Sequence, residues 1–202
     1  AAKSKRGAWE SHWRECYEYA LPQREGFSGA QTPGAKRTDT IFDGTAADAV
    51  DQLAASLLAQ LTPPWSRWFG LTAGIEVGEE ERAIVTPVLD RTAATLQSHF
   101  DRSNFTVELH QCYLDLVTGG TASLLFEETA PGESSAFRFT AVPLTQAVMA
   151  EGPEGRLDIT YRQSTLTLGR LKARFPAAQL PEAMVREGSE DPAKRFEIIE
   201  AV

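Results

Sequence analysis

The sequence predicts an α+β fold in which helices come first and antiparallel β-hairpins follow. Apolar residues recur at helical spacing through the first part of the chain, most clearly between Asp43 and Leu61. Beyond Gly120, short alternating segments separated by turns rich in glycine and proline replace that spacing, as is typical of hairpins. A run of helices followed by a run of strands indicates the α+β class.

Residues 4–21 predict the first helix, which Pro22 ends. One face of this helix is apolar and consists of Trp9, Trp13, Cys16, Tyr17 and Ala20. Residues 22–42 show no apolar period. A connection of about twenty residues is longer than most loops, so we expect it to be functional or to be ordered by a partner.

The central predicted helix begins after Asp43 or Thr45, either of which can cap it, and ends before Pro63. Its apolar stripe is Ala46, Ala49, Val50, Leu53, Ala54, Leu57, Leu58 and Leu61. Many of these residues are small, so a neighbouring element can approach closely. The aromatic run at residues 65–71 predicts a strand.

Residues 79–100 predict a third helix whose first turn, Glu79–Glu81, complements the helix dipole. Pro87 lies inside this pattern and predicts either a helix start or a kink. Ser103 or Asn104 can cap a fourth helix, which ends at residues 119–120. Its apolar stripe is Phe105, Leu109, Cys112, Tyr113, Leu116 and Val117.

Two strand–turn–strand units follow, at residues 121–142 and 147–162. We then expect a helix over residues 165–175 and a short helical turn near residues 180–187. The chain ends in a predicted strand that we interpret as cut off in mid-course, so we expect an N-terminal piece of a longer polypeptide. We divide it into residues 1–72 (helices, long loop and aromatic strand) and 73–202 (a helical pair and hairpins).

The net charge of −8 and pI near 5.0 argue against tight DNA binding, which draws its affinity from lysine and arginine. Loose contact with DNA that must keep moving is compatible with this charge. Two separated cysteines indicate no disulfide scaffold. The sequence has no apolar run long enough to span a bilayer and begins with no signal-peptide pattern.

The sequence contains no pattern that indicates catalysis, a cofactor or a metal. The stretch Gly29–Arg37 departs from the Walker A spacing, because Ala35 stands where that motif has lysine. None of the histidines, His12, His99 and His110, has a second ligand at metal-binding spacing. Cys112 lies on an apolar stripe and is interpreted as a core residue. The sequence therefore offers no catalytic constellation.

Large aromatic side chains are concentrated in the first third of the chain: Trp9, Trp13, Trp65, Trp68 and Phe69. They form either a local aromatic core or contacts with neighbouring subunits. Arg24, Lys36 and Arg37 are the basic residues of the long loop. They are either solvated charges or DNA contacts.

Several short blocks occur in order: Trp13-x-x-Cys16-x-x-Tyr19-x-Leu21-Pro22, Phe42-Asp43-x-Thr45, Leu53-Ala54-x-x-Leu57, Leu61-x-Pro63 and Trp68-Phe69-x-Leu71. Later blocks are Ser103-Asn104-Phe105, Gly119 before the strand 122–126, and Val142-Pro143-Leu144, with residues 157–162, Leu166 and Leu171 further on. Together they resemble the N-terminal region of the head-to-tail connector, or portal, proteins of short-tailed bacteriophages, over nearly the whole chain.

The resemblance implies a structural virion protein, not an enzyme, that forms a dodecameric ring at one capsid vertex. DNA would pass through this ring during packaging and ejection, and the tail would attach to it. The implied partners are other copies, the major capsid protein, the terminase motor, tail adaptor proteins and, transiently and non-specifically, double-stranded DNA, with no membrane. The implied location is the virion portal vertex, and the host cytoplasm during assembly.

Within such a ring the resemblance implies that this chain forms the wing, or outer part, with the channel-lining residues beyond Val202. The alternative is another phage head–tail adaptor or scaffold protein without a DNA channel. A third class is a hydrolase or nuclease whose site lies further along the polypeptide.

Overall fold

The computed structural model describes residues 2–24, 27 and 41–202, and it confirms the α+β class. The helices are α1 (Ala2–Ala20), α2 (Thr45–Leu61), α3 (Glu79–Arg102), α4 (Phe105–Gly119), α5 (Leu168–Arg174) and α6 (Glu182–Glu190). The strands are β1 (Ser123–Glu128), β2 (Phe137–Val142), β3 (Ala147–Glu151), β4 (Leu157–Thr167) and β5 (Arg195–Ala201).

The chain divides into two compact units. One consists of Ala1–Glu10 together with Thr145–Val202, and the other is Ser11–Leu144. The division of the chain into residues 1–72 and 73–202 stays a prediction. Among the described helices, none is long and apolar enough to cross a membrane.

The core of the Ser11–Leu144 unit lies where α2 and the second half of α1 pack against α4. Its buried residues are Tyr17, Leu21, Val50, Ala54, Tyr113, Leu114 and Leu144. Ala54 is fully buried, so α2 and its neighbours approach closely there. The outer residues of the α2 stripe, including Leu53 and Leu61, stay at least half exposed, so the covered face is narrower than the sequence stripe.

Local hydrogen bonds fix the helix starts. Asp43 Oδ1 accepts from the Thr45 backbone N–H at 3.0 Å and from its hydroxyl at 2.7 Å, just before α2. These bonds, hydroxyl first, hold the pKa of Asp43 below its usual range. Ser103 Oγ accepts from the Phe105 N–H at 3.1 Å and so starts α4. Gly120 ends α4 with a φ of 71°, a conformation that favours glycine.

Two side chains at the start of α4, one just before the helix and one in its first turn, cover the edge of β2 that does not pair with β1. The Asn104 carboxamide accepts from the Phe139 N–H at 2.9 Å and donates to the Phe139 carbonyl at 2.8 Å. Glu108, one turn later, accepts from the Ala141 N–H at 2.7 Å. These polar groups take the place of a third strand. The backbone groups of Phe139 and Ala141 therefore have hydrogen-bond partners although no strand pairs with that edge of β2.

The predicted strand at residues 65–71 is wrong. The backbone of this segment forms no strand pairing with the described residues. The rings of Trp68 and Phe105 are stacked 5.7 Å apart, and Phe69 meets Phe100 edge-on at the same distance. The aromatic content that predicted a strand instead serves side-chain packing against the α3–α4 junction.

Helix α3 begins at Glu79 and continues through Pro87 to Arg102. The sequence left open whether the helix starts or kinks at Pro87, and the structure shows that it does not start there. Proline lacks the N–H that would bond to the fourth residue before it, which lowers the local stability of the helix. Most of the residues before Ala93 are exposed, whereas Leu96 and Phe100 are half-buried.

The other unit contains an antiparallel sheet of order β3-β4-β5, with Ala147 opposite Arg162 and Thr167 opposite Arg195. Arg6 of α1 donates to the carbonyls of Thr145 and Ala147, at 3.1 and 2.9 Å, beside this sheet. Helices α5 and α6 meet at Gly188, where a Cβ would lie only 2.7 Å from Leu168 Cβ.

One predicted helix boundary in this unit is wrong. The predicted helix at residues 165–175 begins only at Leu168, because β4 continues to Thr167. Residues 163–167 pair with β5, about thirty positions further along the chain, and local patterning carries no information about such a partner. The helical turn expected at residues 180–187 is a helix at Glu182–Glu190.

Candidate interaction surfaces

The aromatic residues predicted at an interface separate into two groups. Trp9 is 59% exposed and Trp65 is 74% exposed. Both present a large apolar side chain that the rest of the described chain does not cover, as a contact with a partner would require. Trp13, Trp68 and Phe69 are only partly exposed.

The second group packs locally. The Trp13 indole N–H donates to the Gly119 carbonyl at 3.0 Å. Trp68 and Phe69 belong to an aromatic cluster with Phe100 and Phe105, which continues to the rings of β2. A local core, which was one of the two interpretations of these side chains, therefore describes the surroundings of Trp13, Trp68 and Phe69.

The basic residues predicted on the long loop do not behave alike. Arg24 forms an ion pair with Asp115, with Nη2 2.5 Å from Oδ2 and Nε 3.0 Å from Oδ1. The interpretation of Arg24 as a solvated charge is wrong, since its side chain is only 13% exposed. Lys36 and Arg37 lie outside the described residues.

Asp115 is the most deeply buried large side chain of the described residues, with 1% exposed. It also accepts from the Tyr17 hydroxyl at 2.8 Å. The sequence reasoning missed this network. The available signal was a carboxylate three positions after Cys112, a residue of the apolar stripe, because a buried charge requires a partner.

The network changes the acid–base behaviour of its members. Burial raises the pKa of the Tyr17 hydroxyl well above its usual range, and the negative charge of Asp115 adds to the shift. For Arg24, burial lowers the pKa, but the hydrogen bond and charge of Asp115 outweigh it and raise the pKa overall. Both groups therefore keep their protons at neutral pH.

An open groove of about 400 Å³ adjoins the Arg24–Asp115 pair and is lined in part by Gln23, Arg24 and Gln111.

Cys112 is buried, in agreement with its prediction as a core residue. Burial, and secondarily Asp115, raises the pKa of its thiol to about 12, so the nucleophilic thiolate does not form near neutral pH. His99 Nδ1 accepts from the Ala136 backbone N–H at 3.2 Å and so serves a local contact. Among residues 2–24, 27 and 41–202 no three His, Cys, Asp or Glu side chains converge as metal ligands would.

A further exposed surface lies on the first half of α3. Ile84 and Val88 are 75% and 62% exposed, and Ile75 in the preceding loop is 97% exposed. Large apolar side chains on three separate segments of the chain therefore have no cover in the described residues. Exposed apolar side chains of this kind are typical of surfaces that bind other macromolecules.

Comparison with known proteins decides the family. The family described as "Bacteriophage head to tail connecting protein" matches residues 1–202. The chain belongs to this family. The resemblance predicted from the ordered sequence blocks is thus confirmed.

Two relatives of this connecting protein carry portal names. It is 30% identical over 175 residues to the "Probable portal protein" of Bordetella phage BPP-1, and 25% identical over 174 residues to the "Portal protein" of Salmonella phage epsilon15. Each alignment covers 86% of this chain and 31% of the relative. The chain therefore spans about a third of the length of these relatives.

Proposed function

We propose that this chain is part of a portal subunit, a structural protein at the junction of phage head and tail. The family match over residues 1–202 is the observation that carries the proposal. Portal is also the name of both relatives. In this proposal the subunits assemble into a closed dodecameric ring at one capsid vertex, through which DNA is packaged and ejected.

The surface of the chain supports a role in assembly. A closed ring needs two different surfaces on each subunit, so that each copy binds the next in a head-to-tail contact. Trp9 and Trp65 are mainly exposed, and tryptophan is among the residues that dominate binding energy at interfaces. We propose these two residues as contacts with a neighbouring subunit or with the capsid.

Net charge supports a conduit rather than a DNA-binding surface. Carboxylates outnumber lysine and arginine by 28 to 20, so the protein repels the phosphate backbone on average. The part of the ring that this chain forms would therefore not hold the duplex tightly. The proposed contacts with DNA are accordingly transient and non-specific.

The remaining parts of the proposal concern partners and location. The subunit would contact the major capsid protein, the terminase motor during packaging and tail adaptor proteins afterwards. It would reside at the virion portal vertex after assembly in the host cytoplasm. We propose a structural rather than a catalytic role, because the family is described as a connecting protein and both relatives carry portal names.

The test is the native mass of the full-length polypeptide, combined with negative-stain imaging of the same sample. We expect a closed ring with a central hole wide enough for a DNA duplex. A monomer or dimer that still forms no ring when capsid scaffold is added would overturn the proposal. An open assembly without a hole would favour the adaptor alternative.

A further inference from the structure

The sheet formed by β1 and β2 has one covered edge and one open edge. On the β2 side, the side chains of Asn104 and Glu108 form hydrogen bonds with the outward backbone groups. On the β1 side, no residue of the described ranges 2–24, 27 and 41–202 bonds to the outward backbone groups. Exposed strand edges are usually covered or blunted in soluble proteins, so the β1 edge is a candidate for a further strand.

The register of the sheet identifies the outward groups of β1. Phe126 lies opposite Phe139, and Leu124 lies opposite Ala141. In an antiparallel pair, two opposite residues either exchange both backbone hydrogen bonds or point these groups away from each other. The N–H groups of Phe139 and Ala141 point away from β1, because side chains at the start of α4 accept from them. The N–H and C=O groups of Leu124 and Phe126 therefore point away from β2.

The side chain of Phe126 lies at the same open edge. Its ring meets the rings of Phe137 and Phe139, with centroids 5.4 Å apart in each case. Phe139 is only 6% exposed, whereas Phe126 is 53% exposed. The aromatic packing of the sheet therefore ends at a half-exposed ring, beside backbone groups that have no partner among the described residues.

We propose that an extended segment of the same polypeptide, from outside residues 1–202, adds to β1 as the third strand of this sheet. Its backbone bonds to the outward N–H and C=O groups of Leu124 and Phe126. Side chains of a strand alternate between the two faces of a sheet, so an apolar residue of this segment covers the open side of Phe126.

The length of the relatives makes such a segment available. Both portal relatives align with this chain over only 31% of their own length, so about two thirds of a polypeptide of that size lies elsewhere. The entropic cost of loop closure grows slowly with loop length, so a strand that is distant in sequence can still reach the edge. A segment of the same polypeptide also binds at the high effective concentration of an intramolecular contact.

The state of the free subunit also favours an occupant from the same polypeptide. An unpaired strand edge beside a half-exposed phenylalanine is prone to edge-to-edge aggregation. A subunit that fills this edge from its own chain is protected before it meets any other copy. A strand supplied by a neighbouring copy would leave the edge open until assembly.

The third strand rests on the proposed function in one respect, since both take this chain as part of a longer subunit. Ring formation is measured by native mass, whereas the strand is measured by hydrogen exchange within one subunit. Failure of the strand would leave the ring proposal standing, and a subunit that forms no ring would still report on the strand.

Hydrogen exchange of the full-length polypeptide, resolved to single amides, tests the third strand. The amides of Leu125 and Glu127 are internal references, because the alternation of the ladder directs them toward β2. We expect the Leu124 and Phe126 amides to be protected like these references, with exchange at least about a hundredfold slower than in an unstructured peptide. Fast exchange at Leu124 and Phe126, whatever the references show, would overturn the proposal.

Proline at the open edge tests whether backbone pairing is the source of the protection. Glu128 occupies the next outward position of β1, and its side chain is exposed. Glu128→Pro removes an outward N–H but none of the bonds to β2, and should accelerate exchange at Phe126 at least about tenfold. Glu128→Ala is the matched control, because it keeps the N–H and should leave this rate unchanged. Equal rates in the two variants would contradict strand addition at this edge.

Cross-linking with isotope labels identifies the occupant. A photoreactive benzophenone amino acid in place of Glu128 reacts with the segment that lies beside β1. In a mixture of light and heavy full-length subunits, we expect each cross-linked peptide pair to be all light or all heavy, with its second peptide from outside residues 1–202. Mixed pairs would assign the edge to a neighbouring copy, and a second peptide from within residues 1–202 would assign it to this chain. Either result would overturn the proposal.

Discussion

The carboxylate of Asp115 on α4 holds the guanidinium of Arg24 in a two-pronged ion pair, at 3.0 Å to Nε and 2.5 Å to Nη2. This pair fastens the segment that follows α1 to the centre of α4. Gln111 completes the arrangement by accepting from Arg24 Nη1 at 2.9 Å. Such a fork is geometrically specific, so it fixes the position at which the chain leaves α1.

Asp115→Asn should destabilise the chain by about 3 to 5 kcal/mol, because it leaves the Arg24 charge buried without its counter-charge. Urea unfolding at pH 7 measures this free energy. The double variant Arg24→Met/Asp115→Leu removes both charges and should cost less than Asp115→Asn alone. If the loss of stability in this double variant equals the sum of the losses in the single variants Arg24→Met and Asp115→Leu, the pair is not coupled.

Asn104→Ala should lower the free energy of unfolding by roughly 2 to 4 kcal/mol, because it removes two hydrogen bonds and leaves both backbone groups of Phe139 without partners. Hydrogen exchange of the Phe139 amide should accelerate at the same time. Thr86→Ala is the control, since that hydroxyl bonds only within its own exposed helix turn. Unchanged exchange at Phe139 would argue against the edge-covering role of Asn104.

Trp9→Ala and Trp65→Ala should each change the free energy of unfolding by less than about 0.5 kcal/mol, because both side chains are mainly exposed. In the full-length polypeptide the same changes should reduce the yield of rings seen by native mass. Trp68→Ala should instead cost at least about 2 kcal/mol, since it dismantles the aromatic cluster. Full ring yield in both exposed variants would exclude these residues from the interface.

Stability should fall as pH rises above about 9. In the folded chain the Cys112 pKa is about 12 and that of Tyr17 is also raised, against ordinary values of 9.0 and 10.0. The unfolded chain therefore loses these protons first, which favours unfolding. This contribution to stability is fully present below pH 9 and is lost as the pH climbs toward the folded pKa values.

Urea midpoints at pH 7, 9 and 10 measure this effect. Cys112→Ala should flatten the decline that begins near pH 9, and Tyr17→Phe the decline that begins near pH 10. In the native chain Cys112 should not react with a thiol reagent at pH 8, because its thiolate is suppressed and the side chain is buried. Fast modification of Cys112 without unfolding would contradict this assignment.

Much of the fold could be predicted from local sequence. Helices α1, α2 and α4 and strands β1, β2 and β3 begin and end within a few residues of the predicted positions. Their boundaries depend on nearby features, such as Pro22 after α1 and Gly120 after α4. Capping groups and breakers act over one helical turn, so the sequence pattern contains the whole cause.

The errors in predicted secondary structure lie where residues distant in the sequence determine the local conformation. Residues 65–71 have strand-like composition, but no strand of the described residues pairs with them. The rings of Trp68 and Phe69 pack on Phe100 and Phe105 instead. β4 runs on to Thr167 only because β5 pairs with it. A segment becomes a β-strand only when it pairs with another strand, and the periodicity of its own residues does not show whether such a partner is present.

By itself, the sequence determined the α+β class, the order of helices and hairpins, and the absence of a recognisable catalytic motif. It also determined the family, because the short sequence blocks occur in the order and spacing that the family shows. Only the tertiary structure decided which side chains are covered. It buried Arg24 on Asp115, left Trp9 and Trp65 exposed while Trp13 and Trp68 packed, and left one side of α3 open. Burial is a property of the folded surroundings, so residues of one type receive opposite environments that no single-sequence pattern distinguishes.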